Sequence, residues 1–130
     1  MELCIPKLSF GMTENELSKI IVNCCYKIHS ALGPGLLESV YELQKANLKL
    51  TRQQGIPLTY EGVKMDLGFR ADVIVEASVI IEIKSIEAIA SVHQKQLLTY
   101  LRVTGLKLGL LVNFNEALIK SGIQRIVNNL

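Results

Sequence analysis

Two carboxylates and one ammonium lie in the most hydrophobic part of this 130-residue sequence. In the segment FRADVIVEASVIIEIKS, residues 69–85, the side chains of Asp72, Glu82 and Lys84 interrupt runs of valine and isoleucine. Burying an unpaired charge costs several kcal/mol or forces the group to neutralise. We therefore expect these three side chains to form ion pairs with one another or to bind an ion.

The alternation of side chains along a β-strand brings the three charges to one place. Two runs rich in valine and isoleucine, residues 72–76 and 79–84, flank a short turn and predict an antiparallel hairpin. Glu82 and Lys84 then share one face, and Asp72 falls opposite Glu82 or within one residue of it. Directly opposed Cβ atoms lie about 4.5–5.5 Å apart. Two carboxylates at that separation repel unless a proton or a cation lies between them.

A divalent cation would relieve this repulsion. Mg²⁺ prefers one or two carboxylates together with other oxygens and several waters, and the backbone carbonyl of Ile83 could supply one such oxygen. Lys84 could orient or deprotonate a water, or stabilise negative charge that develops on a phosphate. Arg70, two residues before Asp72, would point to the same face and either contact phosphate or neutralise the acidic cluster. Spacing alone leaves a structural ion pair at the strand ends as the alternative.

The remaining sequence supplies helices and strands around this hairpin. Thr13 to Glu16 forms a capping box, and apolar residues at helical spacing follow it. The predicted elements are helix 13–32, helix 36–52, strands 56–60, 63–67, 72–76 and 79–84, helix 91–104 with Gly105 as its C-cap, and strand 107–113. The order α-α-β-β-β-β-α-β, with a further strand suggested at 123–127, predicts an α/β sandwich with a mixed sheet.

Composition excludes several classes of protein. The length predicts one domain spanning residues 1–130, and 49% hydrophobic with 20% charged residues is typical of a globular domain. No apolar run reaches the roughly 20 residues that span a bilayer, and the start lacks a signal-peptide pattern. Three cysteines without a CxxC pair predict free thiols in a reducing compartment. We therefore predict a cytoplasmic protein with no membrane partner.

Four stretches of the sequence carry motifs in a characteristic order. Asp72, nine residues and then EIK at 82–84 form D…(D/E)xK. GLLESVY at 35–41 forms G-x-x-E-x-x-Y, and QLLTY at 96–100 forms Q-x-x-x-Y. Together with the ending, which runs from Thr104 through GLLVNF to GIQRIV, these motifs resemble the GxxExxY family, a RecB-like branch of the PD-(D/E)XK nuclease superfamily. The likeness covers a core of about residues 13–128, although Ala71 replaces the proline that often precedes the motif aspartate.

The resemblance implies both a fold and a metal site. The implied fold is restriction-endonuclease-like, a three-layer core in which helices flank a mixed β-sheet. The implied cofactor is Mg²⁺ or Mn²⁺, with Glu38 completing a site formed by Asp72 and Glu82. Lys84 becomes the catalytic lysine. The structural alternative for Glu38 is a favourable acid in the first turn of its helix.

Helix 91–104 is expected to bring further side chains to the site. The resemblance implies that Gln96 and Tyr100 face the metal site or the phosphate backbone, and i,i+4 spacing places both on one helix face. His93, three residues before Gln96, shares that side. Each residue also has a structural alternative: Gln96 can cap polar backbone, Tyr100 can be a core ring, and His93 can be a solvated or hydrogen-bonded histidine.

Metal-dependent hydrolysis of nucleic-acid phosphodiesters is the leading functional prediction. The expected substrate is DNA in preference to RNA. Because so small a chain covers little of a duplex, a homodimer that cuts both strands is a natural hypothesis. One alternative is a catalytically inactive module of the same fold that binds nucleic acid or a protein partner. Another is a metal-dependent hydrolase of a small phosphorylated molecule, which would need a closed pocket.

Overall fold

The computed structural model describes residues 12–31, 42–56, 58–60, 62–65 and 70–130. Residues 42–45 are helical. The other elements, in chain order, are α1 (Glu14–Ala31), β1 (Leu50–Gly55), β2 (Leu58–Tyr60), β3 (Val63–Met65), β4 (Arg70–Val75), β5 (Val79–Lys84), α2 (Ser91–Thr104), β6 (Leu108–Asn113), a 3₁₀ helix (Ile119–Gly122) and β7 (Ile123–Val127). None of the described helices is long and apolar enough to cross a membrane.

A mixed five-stranded sheet with the order β1-β4-β5-β6-β7 forms the centre of the fold. Its neighbours pair antiparallel except for β5 and β6, which are parallel and are joined by α2. Strands β2 and β3 form a separate antiparallel pair. Residues of α1 pack on one face of the sheet and residues of α2 on the other. The predicted α/β class, with helices on both sides of a mixed sheet, is confirmed.

Alternation along β5 decides which face of the sheet carries its charged residues. Val79 and Ile81 pack against the α1 layer, whereas Ile80 packs against the α2 layer. Because side chains two apart point the same way in a strand, Glu82 and Lys84 continue the face that Ile80 begins. The charged end of β5 therefore lies on the α2 side.

Several local predictions agree with the structure. The Glu16 N–H donates to Thr13 Oγ1 (3.2 Å) and the Thr13 N–H donates to Glu16 Oε1 (3.3 Å), which is the capping box at the start of α1. Gly105 ends α2 in the left-handed region, with a φ of 76°. Cys24 and Cys25 are buried core residues with free thiols, and burial raises the pKa of Cys25 to about 12.

The predicted second helix extends too far toward the C-terminus. Its first residues, 36–41, lie outside the described part of the chain. Asn47 adopts a left-handed φ of 61°, and the chain from Leu50 is the edge strand β1, in which Thr51 pairs with Ile74 of β4. Leucine, lysine and arginine favour helices, but pairing with a neighbouring strand overrides that weak preference. The predicted order α-α-β-β-β-β-α-β is therefore wrong in lacking β1.

Close packing of α2 on the sheet depends on Gly109 in β6. A Cβ at this position would lie 2.9 Å from side-chain carbons of Leu97, which is fully buried. We expect Gly109→Ala to lower the free energy of unfolding by about 1–3 kcal/mol, because the extra methyl overpacks the interface. Urea denaturation measures the change. In a Leu97→Ala background the same substitution should cost less, and an equal cost in both backgrounds would contradict this account.

Candidate active site

The β4–β5 hairpin changes its hydrogen bonding at the end where the charged residues lie. Its ladder of paired residues extends as far as Val73 and Ile81, and the same register places Asp72 opposite Glu82. There, side-chain carboxylates accept the backbone hydrogen bonds. The Asp72 N–H donates to Glu82 Oε1 (3.1 Å), and the Ile83 N–H donates to Asp72 Oδ2 (2.8 Å). The two carboxylates are thereby interlocked across the end of the hairpin.

The surroundings of Glu82 disfavour the ionised form of its carboxyl group. Only 5% of the residue is exposed. Burial, followed by the negative charge of Asp72, raises the pKa of Glu82 to about 7, although the Asp72 N–H and the Lys84 ammonium oppose that rise. This carboxyl therefore tends to hold a proton near neutral pH. A cation bound between Asp72 and Glu82 would also relieve the repulsion between their carboxylates.

Oxygen atoms of Asp72, Glu82 and Ile83 are the candidate ligands for such a cation. Asp72 Oδ1 has Gln53 Nε2 at 3.5 Å, and Glu82 Oε1 accepts the Asp72 N–H. A strand residue directs its N–H and C=O to the same neighbouring strand. The Ile83 carbonyl therefore faces β4, as its N–H does. Two carboxylates and a carbonyl are the donors that Mg²⁺ prefers, so the donor set fits a divalent cation.

Glu38, the third carboxylate implied by the family resemblance, lies outside the described residues. Among the residues that are described, no group of three or more His, Cys, Asp and Glu side chains could hold a metal ion. The described part of the site therefore consists of two carboxylates, Asp72 and Glu82, at the end of one hairpin. Its carboxylate count is within the one or two that protein-bound Mg²⁺ ordinarily uses.

Lys84 and the chain that follows it are held by Asn113, the last residue of β6. Lys84 is half-buried, and Asn113 pairs with it across the parallel β5–β6 ladder. The Asn113 side chain, 1% exposed, donates from Nδ2 to the Ile86 carbonyl (2.9 Å) and accepts the Ile86 N–H at Oδ1 (3.1 Å). The sequence interpretation assigned Asn113 no role of its own. In the sequence, the feature that could have indicated such a role is a single side-chain amide at the end of an otherwise apolar strand.

Tyr100 of α2 lies close to the carboxylate pair. Its ring is buried, and burial, followed by the negative charges of Glu82 and Asp72, raises the pKa of Tyr100 to about 12. Gln96 is half-buried, one helical turn before Tyr100 on the same side of the helix. His93 stands at the start of α2, where its Nδ1 accepts the Ala90 N–H (2.9 Å). That bond engages one ring nitrogen of His93 in capping the helix.

Arg70 and Gln53 lie beside Asp72 on the β1 side of the site. Arg70 is exposed, and its Nη1 donates to the backbone carbonyl of Gln53 (3.2 Å). The side-chain amide of Gln53 reaches Asp72 Oδ1. Gln53 was not predicted as a site residue, because the predicted helix ended at Arg52 and no strand was predicted after it. Nothing in the local pattern indicated that this glutamine would approach the aspartate.

Comparison with known proteins identifies a family. The family model described as the PD-(D/E)XK nuclease superfamily matches residues 15–126. This segment includes β4, β5 and α2, and with them the interlocked carboxylates, Lys84 and Tyr100. No curated protein and no solved structure matches the chain.

Proposed function

Since the chain belongs to the PD-(D/E)XK nuclease superfamily, we propose that it hydrolyses nucleic-acid phosphodiester bonds with Mg²⁺ or Mn²⁺ held by Asp72 and Glu82. The observation that carries this proposal is the interlocked carboxylate pair, in which a buried glutamate keeps a pKa of about 7 beside an aspartate. Glu38 and the Ile83 carbonyl are the further proposed ligands. Such a cation, when bound, activates water for attack and neutralises charge on the phosphate.

Lys84 is proposed to act on the reacting groups from the α2 face. Its ammonium either orients the attacking water or stabilises the negative charge that develops on the phosphate. Tyr100 and Gln96 are proposed to contact the phosphate backbone from the same side, and His93 and Arg70 to border it. The buried Ile80, which precedes Glu82 on this face, makes the protein beside Glu82 apolar. Electrostatic interactions are stronger next to apolar protein than in water, because the dielectric constant is lower there.

Substrate type, assembly and compartment extend the same proposal. The resemblance to RecB-like and GxxExxY proteins supports DNA in preference to RNA. The small size of the chain supports a homodimer on a duplex, and a monomer in light scattering at micromolar concentration would oppose that. The buried, unpaired thiols of Cys24 and Cys25 support a reducing compartment such as the cytoplasm.

Titration calorimetry with Mn²⁺ on the wild type and on Asp72→Ala tests the metal site. We expect the wild type to bind Mn²⁺ and Asp72→Ala to bind it at least about a hundredfold more weakly, because even outer-shell substitutions cost about 10–100-fold. The variant should remain folded, since removing one acid relieves its repulsion with Glu82. Glu14→Ala is the matched control, because it removes a carboxylate beside the β4–β5 turn, at the other end of the hairpin.

A nuclease assay on single- and double-stranded DNA and RNA completes the test. Cleavage should require Mg²⁺ or Mn²⁺ and should be lost in Asp72→Ala but not in Glu14→Ala. Metal-stimulated cleavage that persists in purified Asp72→Ala would contradict the proposed roles. Nucleic-acid or partner binding that is indifferent to Mg²⁺ and to Glu82→Gln, without cleavage, would instead identify an inactive binding module.

A further inference from the structure

Gln53 has a left-handed backbone in the middle of the edge strand β1. Its φ is 51°, although Arg52 and Gln54 on either side of it pair in register with Val73 and Ala71 of β4. A residue other than glycine is uncommon in this conformation, and glutamine is not among the residues enriched there. Such a conformation persists only where surrounding contacts hold it, and it is frequent at functional sites. The contacts of Gln53 therefore indicate the function of this left-handed conformation.

Two hydrogen bonds connect Gln53 to the charged end of β4. Its backbone carbonyl accepts Arg70 Nη1 (3.2 Å), so the guanidinium holds the turned backbone. Its side-chain Nε2 lies 3.5 Å from Asp72 Oδ1. The other oxygen of that carboxylate, Oδ2, accepts the Ile83 N–H at 2.8 Å. The Asp72 carboxylate is thus contacted on one side by β5 and on the other by Gln53.

We propose that Gln53 is a positioning residue for Asp72, orienting the carboxylate so that Oδ1 is presented to a divalent cation. This inference rests on the proposed function, because it takes Asp72 to be a metal ligand. Gln53 lies between the residues that pair with Val73 and Ala71, where its backbone is left-handed and its amide reaches the Asp72 carboxylate. Hydrogen bonds to a ligating group fix its orientation, and their loss commonly costs about 10–100-fold in metal affinity.

The alternative is that Gln53 only shapes the edge strand. In that case any residue that accepts a positive φ should replace it without an effect on the site. Glycine adopts this conformation at no steric cost, so Gln53→Gly removes the amide and keeps the backbone. Gln53→Asn is a second variant, because asparagine also tolerates a positive φ but its amide is one methylene shorter and falls short of Asp72.

The experiment measures Mn²⁺ affinity by calorimetry and stability by thermal denaturation on the full chain. We expect Gln53→Gly to melt no lower than the wild type and yet to bind Mn²⁺ at least about tenfold more weakly. Gln53→Asn should show the same loss of affinity. In cleavage assays the Mn²⁺ concentration for half-maximal activity should rise, with kcat at saturating Mn²⁺ little changed. Gln54→Ala is the control, since that side chain donates to the neighbouring Gly55 carbonyl, and its Mn²⁺ affinity should stay within about twofold.

The outcomes separate this inference from the proposed function. If the wild type binds Mn²⁺ and both Gln53 variants bind it equally well, the positioning role is overturned and the proposed function stands. If the wild type binds no Mn²⁺, the proposed function fails and the inference fails with it. Weaker binding in both Gln53 variants, with unchanged binding in Gln54→Ala, supports the role.

Discussion

Lys84→Ala is expected to reduce metal-stimulated cleavage of nucleic acid by about a hundred- to a thousandfold while leaving Mn²⁺ affinity within a few-fold of the wild type. The ammonium shares a face with Glu82, and its charge lowers the pKa of that carboxyl. It is therefore close to the carboxylates without being one of the oxygen donors. Removing a preorganised group that stabilises developing negative charge typically costs about 10²–10³ in kcat. Single-turnover cleavage at saturating Mn²⁺ measures the loss directly.

Lys107→Ala is the matched control for this prediction. It removes the same charge from an exposed lysine just before β6, and the parallel register places that end of β6 beside Val79, at the opposite end of β5 from Lys84. Five residues of extended strand separate the two ends by about 17 Å. Equal losses of cleavage in both variants would show that overall charge, and not the position of Lys84, matters. A large loss of Mn²⁺ affinity in Lys84→Ala would assign the lysine to the metal site itself.

Glu82→Gln is expected to stabilise the protein increasingly as the pH rises. Burial and the charge of Asp72 raise the pKa of Glu82 from its ordinary 4.5 to about 7 in the folded state. The folded protein therefore binds this proton more tightly than the unfolded chain does, and ionisation of Glu82 opposes folding. The wild type loses stability between pH 4.5 and about 7 and keeps that deficit at higher pH. The gap between the two pKa values corresponds to about 3 kcal/mol.

Urea unfolding of both proteins at several pH values between 4.5 and 8.5 tests this prediction. The excess stability of Glu82→Gln should be small at the acid end and should approach about 3 kcal/mol above pH 7. All other titratable groups are the same in both proteins, so the difference isolates Glu82. Glu87→Gln, at an exposed position, should follow the wild-type profile. Parallel profiles of the wild type and Glu82→Gln would show that Glu82 ionises without cost.

The same pair of proteins connects the pH dependence with the metal site. Above pH 7 the wild type carries two adjacent carboxylates, and a ligand that binds only the folded state stabilises it by mass action. Mn²⁺ should therefore raise the melting temperature of the wild type more than that of Glu82→Gln. An equal rise in both would place the Mn²⁺ away from Glu82. A larger rise in the wild type would identify the carboxylate pair as a cation site that destabilises the fold when it is empty.

Local sequence pattern determined the elements that carry the candidate site. The spacing of Asp72, Glu82 and Lys84 around a short turn predicted one hairpin with its charges on one face, and the structure has that register. The bounds of α2, residues 91–104, were also predicted, because its apolar stripe and the glycine after it are local signals. Side-chain period and turn chemistry act over a few residues. Both can therefore be recognised in a single sequence.

Only the tertiary structure decided which other groups surround the carboxylates. The edge strand β1 forms where leucine, arginine and glutamine favour helix, because β4 offers it a partner. The approach of Gln53 to Asp72 follows from that pairing. The clamp from Asn113 to Ile86 depends on the parallel register of β5 and β6. The pKa of Glu82 depends on its burial in the folded chain and on the charge of Asp72 across the hairpin. Contacts between distant segments arise from packing and hydrogen-bond completion of the whole chain, and local periodicity carries no record of them.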